Sequence, residues 1–374
     1  MKIASLKIHP VSVDRQYATV IAQEGGKAKR AVTRSHFYFL EVGTDTGLTG
    51  WGEISDVEPE ELVEDPGEYA ELLVAFMRDR SPFDVQRMHH DYEQHFDVGG
   101  STLAKYSRCA LDMAMYDLQG QACGRPVHDL LGGAVRQDVA ISWVAYIRDD
   151  LSQLREEIRE KCAQGFTAFK LKVGVGIDLD EERLAAAREV AGKEVSIKVD
   201  ANEGWSVNEA VRNIRRLDRF NLAGVETPVA REDPADIAAV RRAVDVPILE
   251  HVSDLQYGLA LVKAGAVDVF NVATTGAGGI WPARQIVTLA EAAGIGVLLG
   301  STVELGPGTL AQLHLAAITP NLTLPSDLIG PGMYRDDVLE QPLQYHAGRL
   351  RVPSGAGLGG TVSLQRIKRL AQSR

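Results

Sequence analysis

From about residue 139 the chain repeats one rhythm: a short apolar run, then a longer segment with apolar residues at helical spacing. The runs are VAISWVAY, TAFKLKV, VSIKVD, LAGVET, VPILEH, VDVFNVA and IGVLLGST. Between them lie amphipathic stretches such as LSQLREEIREKCAQG, DEERLAAAREVAG and PARQIVTLAEAAG. A strand covered on both faces is a continuous apolar run, while a surface helix repeats its apolar positions every three to four residues. Strand–helix units repeated in this way predict parallel strands closed into a barrel. An open doubly wound sheet is the alternative. It would carry a glycine-rich phosphate turn after its first strand, and none follows VAISWVAY.

Upstream the pattern changes. SHFYFLEVGTDTGLTGWGE alternates, turns at Thr44–Gly47 and alternates again, which predicts a hairpin. Helical spacing follows in PEELVEDPGEYAELLVAFMRD, interrupted at Pro66. It resumes in AKYSRCALDMAMYDLQGQACG, where Gly124 and Pro126 are stop signals. Strands first and helices afterwards is an α+β order. The tail LQYHAGRLRVPSGAGLGG has the pattern of a turn and a strand ending in a loop.

The 374 residues suit one large barrel plus a smaller unit. Hydrophobic residues at 45% and charged residues at 24% are ordinary for a soluble protein. A net charge of −11 argues against a nucleic-acid surface. It also makes any cluster of lysines informative, because an anionic substrate then needs local positive charge. Cys109, Cys123 and Cys162 show no CxxC spacing and are expected to be free thiols in a reducing compartment. The N-terminus MKIASLKIHPVSV alternates like a strand and has no signal-peptide h-region. No apolar run of about 18 residues suggests a membrane span. A cytoplasmic protein without membrane or nucleic-acid partners is the expectation.

Catalytic groups of a parallel barrel sit at the C-terminal ends of its strands. In order, those ends offer Lys170 and Lys172, Asp200 and Asn202, Glu226, then Glu250 and His251. Lys170 and Lys172 lie two apart on a strand, so they share a face. Two ammonium groups crowded together lower each other's pKa and make a lysine usable as a base near neutrality. Solvated rim lysines are the alternative. Asp200 and Glu226, on adjacent strand ends, suit one hard cation bound through oxygen, as Mg²⁺ requires. A helix cap or a lysine salt bridge is the plainer reading of each acid alone. Asn202 either orients a ligand or serves a turn.

In this order and spacing the motifs resemble the enolase superfamily, in its mandelate racemase and muconate lactonizing enzyme branch. They are TGLTGWGE at 46–53, ALDMAMYDLQGQACGRPVHDLLGG at 110–133, FKLKVG at 169–174, VDANEGWS at 199–206, VETP at 225–228, GAGGI at 276–280 and VPSGAGLG at 352–359. The resemblance spans nearly the whole chain. It implies an α/β fold: an N-terminal α+β capping domain over residues 1–132, completed by the tail from about 350–374, and a (β/α)7β TIM-like barrel over 133–349. It implies that Lys172 is the base and that Lys170 tunes it and contacts the carboxylate. Asp200 and Glu226 become metal ligands, and the metal is Mg²⁺, with Mn²⁺ or a softer ion as alternatives. A Lys or His base working with Mg²⁺ is what the resemblance implies.

Two departures shape the functional reading. Where the family supplies a third ligand on the fifth strand, this chain has VPILEHVSD. His251 falls at the family's Asp position with Glu250 beside it, so both are candidate ligands, and His251 is also a candidate catalytic group. Before the sixth-strand glycine turn, where the family places a second base, stand Ala273, Thr274 and Thr275. Thr274, Ser301, Glu304 and Asn202 are assigned to substrate contact. One-base chemistry is therefore expected on a small-molecule carboxylate. The reaction is dehydration of a hydroxy-acid or acid-sugar, or cycloisomerisation, with Lys172, His251 or Glu304 as proton donor. A racemase or epimerase, and a barrel that binds without catalysis, are the alternatives. Lys27, Lys29, Arg30 and Arg34 in an early loop suggest a cationic lid or a solvated loop. His89, His90 and His95 are expected to be surface or packing residues. A closed homo-oligomer is expected on general grounds.

Overall fold

The computed structural model describes residues 1–371, so residues 372–374, assigned above to the tail, lie outside the described residues. The N-terminal unit is an antiparallel sheet in the order Ile3–Thr19, Val32–Thr44, Thr49–Ile54. The last two strands form the expected hairpin, pairing Tyr38 with Ile54 and Val42 with Gly50. One face of this sheet rests on the helix Thr102–Cys123, capped by Ser101 at its start and by left-handed Gly124 at its end. The approach is close because the strand presents Gly50 and Gly52 to Ala114 and Ala110 of the helix. Leu73, Met77, Met88 and Tyr92 from Pro66–Met77 and Val85–His95 complete this core.

The second unit is a parallel sheet of the strands Trp143–Ala145, Ala168–Lys172, Ser196–Asp200, Leu222–Glu226, Ile248–His251, Val269–Val272 and Gly296–Leu299, neighbours in space as in sequence. Helices cover its outer face. The two edges are joined by residues 322–327, which have no regular strand pattern. Thr323 N–H donates to Val297, Asp327 N–H to Leu299 and Ser326 N–H to Ala140, closing the barrel. The strand Arg349–Arg351 pairs with Asp138–Ala140, and the helix Leu364–Ala371 returns to the first strand, with Ile367 and Leu370 buried there. No helix among the described residues is long and apolar enough to cross a membrane.

Register decides what faces the barrel axis. Partners in a parallel ladder share a face, and neighbours along a strand take opposite faces. Lys172 pairs with Asp200, Asp200 with Glu226, and Glu226 with Leu249. One residue pair deeper, Lys170 opposes Lys198. His251 opposes Asn271 on the same face, whereas Glu250 opposes Phe270 on the outer one.

Candidate active site

Three lysines and three carboxylates meet at the barrel centre. Lys170 Nζ lies 2.8 Å from Asp327, 3.2 Å from both oxygens of Glu226 and 3.5 Å from Asp200. Lys172 Nζ donates to Asp200 Oδ2 at 2.6 Å. Lys198 Nζ forms an ion pair with Asp327 at 2.8 Å and donates to the Pro325 carbonyl at 2.9 Å. Asn271 Nδ2 donates to Glu226 Oε1 at 2.7 Å. The strand ends expected to carry chemistry thus bring Lys170, Lys172, Asp200 and Glu226 together. Asp327, Lys198 and Asn271 were missed. Lys198 and Asn271 stand two residues from an inward position on their own strands, so alternation could have found them. Asp327 follows a run without strand pattern and gave no such signal.

The expected mutual depression of the lysine pair does not hold for Lys170. Burial pulls its pKa down, but Asp327, Glu226 and Asp200 outweigh burial and hold it well above the ordinary value. Lys198 is pushed below its ordinary value by burial, against the pull of Asp327. Asp200, although desolvated, is held at about 2 by Lys172 and Lys170. Glu226 is raised by burial and by the negative charges of Asp200 and Asp327, in spite of Lys170.

The remaining assignments divide. Glu250 is excluded from the Asp200–Glu226 pair because it sits on the outer face of its strand. It accepts from the Thr227 hydroxyl at 3.1 Å and from the His251 N–H at 2.8 Å. Burial raises its pKa to about 8. His251 faces inward; burial and the positive charges of Arg231, Lys170 and Lys105 lower its pKa to about 3, leaving a neutral imidazole. Asn202 has a positive φ of 46°, and its N–H donates to Asp200 Oδ1 at 2.9 Å, so its backbone braces the carboxylate. Thr274 is fully buried and its N–H donates to Gln312 at 3.2 Å. Glu304 accepts from Thr275, Ser301, Thr302 (N–H and hydroxyl) and Gln312, so Ser301 holds Glu304. In the early loop, Ala22–Gln23 pairs with Lys27–Ala28, and Gly26 packs on the backbone of Gly174 and Gly204 after the second and third barrel strands. Lys27, Lys29 and Arg30 are exposed there, and Arg34 pairs with Asp14 at 2.7 Å. His89 is a packing residue, bonded to Asp112 at 2.7 Å.

Asp200 and Glu226 already share one cation, the Lys170 ammonium, and their oxygens suit Mg²⁺ or Mn²⁺. The fit extends to these two. Among the described residues no group of three His, Cys, Asp or Glu gathers as a metal site.

Residues 18–132 match the family described as mandelate racemase / muconate lactonizing enzyme, N-terminal domain, and residues 153–366 match the enolase C-terminal domain-like family. A hydrophobic dipeptide epimerase from Enterococcus faecalis is 33% identical over 289 residues, 76% of this chain and 80% of that protein. The structure of 2-chloromuconate cycloisomerase from Rhodococcus opacus 1CP superposes with a TM-score of 0.87 at 26% identity over 99% of each chain. A dipeptide epimerase from E. faecalis V583, complexed with Mg and L-Leu-L-Tyr, superposes with a TM-score of 0.85 at 28% identity. That match covers 96% of this chain and 100% of the other.

Proposed function

The chain belongs to the mandelate racemase / muconate lactonizing enzyme family of the enolase superfamily, and we propose that it uses Lys172 to remove the proton α to a substrate carboxylate. The observation that carries this reading is the inward pair Lys170 and Lys172 set against Asp200 and Glu226. The Lys172 amine takes the proton, and the C–H electron pair enters the carboxylate to give an enediolate. Lys170 stays protonated among its carboxylates and stands as a fixed positive charge for the developing oxyanion. A divalent ion held by Asp200 and Glu226 would supply further charge stabilisation there. The electron pair then returns to form a C=C bond while the β C–O bond breaks. The departing oxygen takes a proton from Lys172 on the same face. Dehydration of a hydroxy-acid and opening of a lactone share this course. Lys172 is favoured as donor because His251 is neutral and Glu304 accepts from several donors at once.

Racemisation, the second reading, is supported by the epimerase relative but needs a second base, and where the family places it this chain has Ala273, Thr274 and Thr275. Incubation of enantiopure hydroxy-acids and acid-sugars in D₂O with Mg²⁺ tests both. Water loss, or deuterium in one enantiomer, is expected. Lys172→Ala should lower the rate by about 10²–10⁴-fold. Deuterium in both enantiomers would reject the one-base course.

A further inference from the structure

A pocket of about 330 Å³ opens between the start of the helix Thr102–Cys123 and the ends of the fourth, fifth and sixth barrel strands. That volume lies at the small-molecule end of binding sites. Lys105, Arg231 and His251 line it. His251 ties it to the catalytic centre, because the ring stands on the barrel's inner face with Asn271, whose amide reaches Glu226. Gly276 keeps the wall low, since a Cβ there would sit 3.0 Å from the His251 ring.

The charges in this pocket do not balance locally. Arg231 is answered by Glu203, and Arg108 by Glu93 and the Ala277 carbonyl. The Lys105 ammonium has no hydrogen-bond or ion-pair partner among the described residues; Asp254 attracts it only from farther off. Burial, then Arg108 and Arg231, push its pKa below the ordinary value. A partly desolvated ammonium among like charges is unfavourable until an anion joins it. Ser101 and Thr102 bring the positive end of a long helix to the same pocket.

We propose that the pocket receives a second carboxylate of the substrate, with Lys105 and Arg231 as its partners, so that the substrate is a diacid. The inference rests on the α-proton reading for the first carboxylate and adds the substrate class. Calorimetric titration with Mg²⁺ present, using succinate, glutarate and adipate against butyrate, valerate and hexanoate, tests it. For at least one chain length the diacid should bind about tenfold more tightly than its monoacid. Lys105→Gln should reduce that preference to about twofold or less, and so should Lys105→Met, which keeps the aliphatic stem. Equal affinities at every length would overturn the proposal, as would a preference that survives in Lys105→Gln/Arg231→Gln. Lys172-dependent exchange of the α-proton in D₂O is read separately. Exchange without a diacid preference rejects the pocket, and a preference without exchange rejects the α-proton reading while the pocket stands.

Discussion

Within the barrel, Asp327 is ion-paired with both Lys170 and Lys198, each at 2.8 Å, and all three side chains are buried. Removing one member of a buried ion network leaves uncompensated charge in a medium that solvates it poorly. Asp327→Asn is therefore expected to lower stability by about 3–5 kcal/mol in urea denaturation. Asp327→Asn/Lys198→Met removes the charge that Asp327 would otherwise leave unanswered, so it should recover part of the loss. A double variant no more stable than Asp327→Asn would mean that Lys198 does not need its partner. Lys170 should tolerate the change better than Lys198, since Glu226 and Asp200 still answer its charge.

Between elements, close backbone approach and buried histidine carry consequences of their own. A Cβ at Gly52 would collide with the Ala110 carbonyl of the helix Thr102–Cys123. Gly52→Ala should cost about 1–3 kcal/mol, seen as a lower melting midpoint. His314, on the helix Gly306–Ile318, accepts from the His128 N–H at 3.2 Å and donates to the Leu358 carbonyl at 3.1 Å, pinning the tail to the barrel. Burial first, with repulsion from His128, lowers its pKa from 6.5 to about 3. Between those values the unfolded chain takes a proton that the folded chain refuses. The contribution of His314 is therefore present above pH 6.5 and is lost as pH falls toward 3. Urea midpoints measured at pH 7 and pH 5 should fall further for the wild type than for His314→Gln. Equal falls would show that His314 does not set this slope.

At the scale of the molecule, acids of the N-terminal unit hold backbone N–H groups of the barrel. Glu53 accepts from Leu305 and Gly308 at 2.8 Å each, at the start of Gly306–Ile318. Asp112 accepts from Ile280 at 2.7 Å, where the helix Ile280–Ala292 begins. Asp117 joins Trp51 and Leu358 at 3.0 and 2.9 Å. Helix starts have unpaired donors, so an acid there joins the two units by hydrogen bonds as well as by packing. Burial raises the pKa of Glu53 to about 8, so hydrogen bonding rather than charge carries its link. Glu53→Ala is expected to lower stability by about 2 kcal/mol or more, because two buried donors lose their acceptor. Glu53→Gln, which keeps one oxygen, should lose less. Activity should fall in Glu53→Ala as well, because Gly308 packs against both Glu53 and Glu304.

The repeat of strand and helix, the hairpin and the inward alignment of Lys170, Lys172, Asp200 and Glu226 were all legible in the chain. Each depends on neighbours a few residues apart, and side-chain periodicity carries that information directly. Glu250 and His251 are neighbours on one strand and so take opposite faces, and only register decided which of them is inward. Only the closed structure brought Asp327 from an irregular segment to Lys170, which reversed the expected direction of that lysine's pKa. Only the packing of the first unit on the barrel set Lys105 beside Arg231 and His251. Charge states and pockets depend on which distant groups share one poorly solvated space, and no local pattern along the chain encodes that sharing.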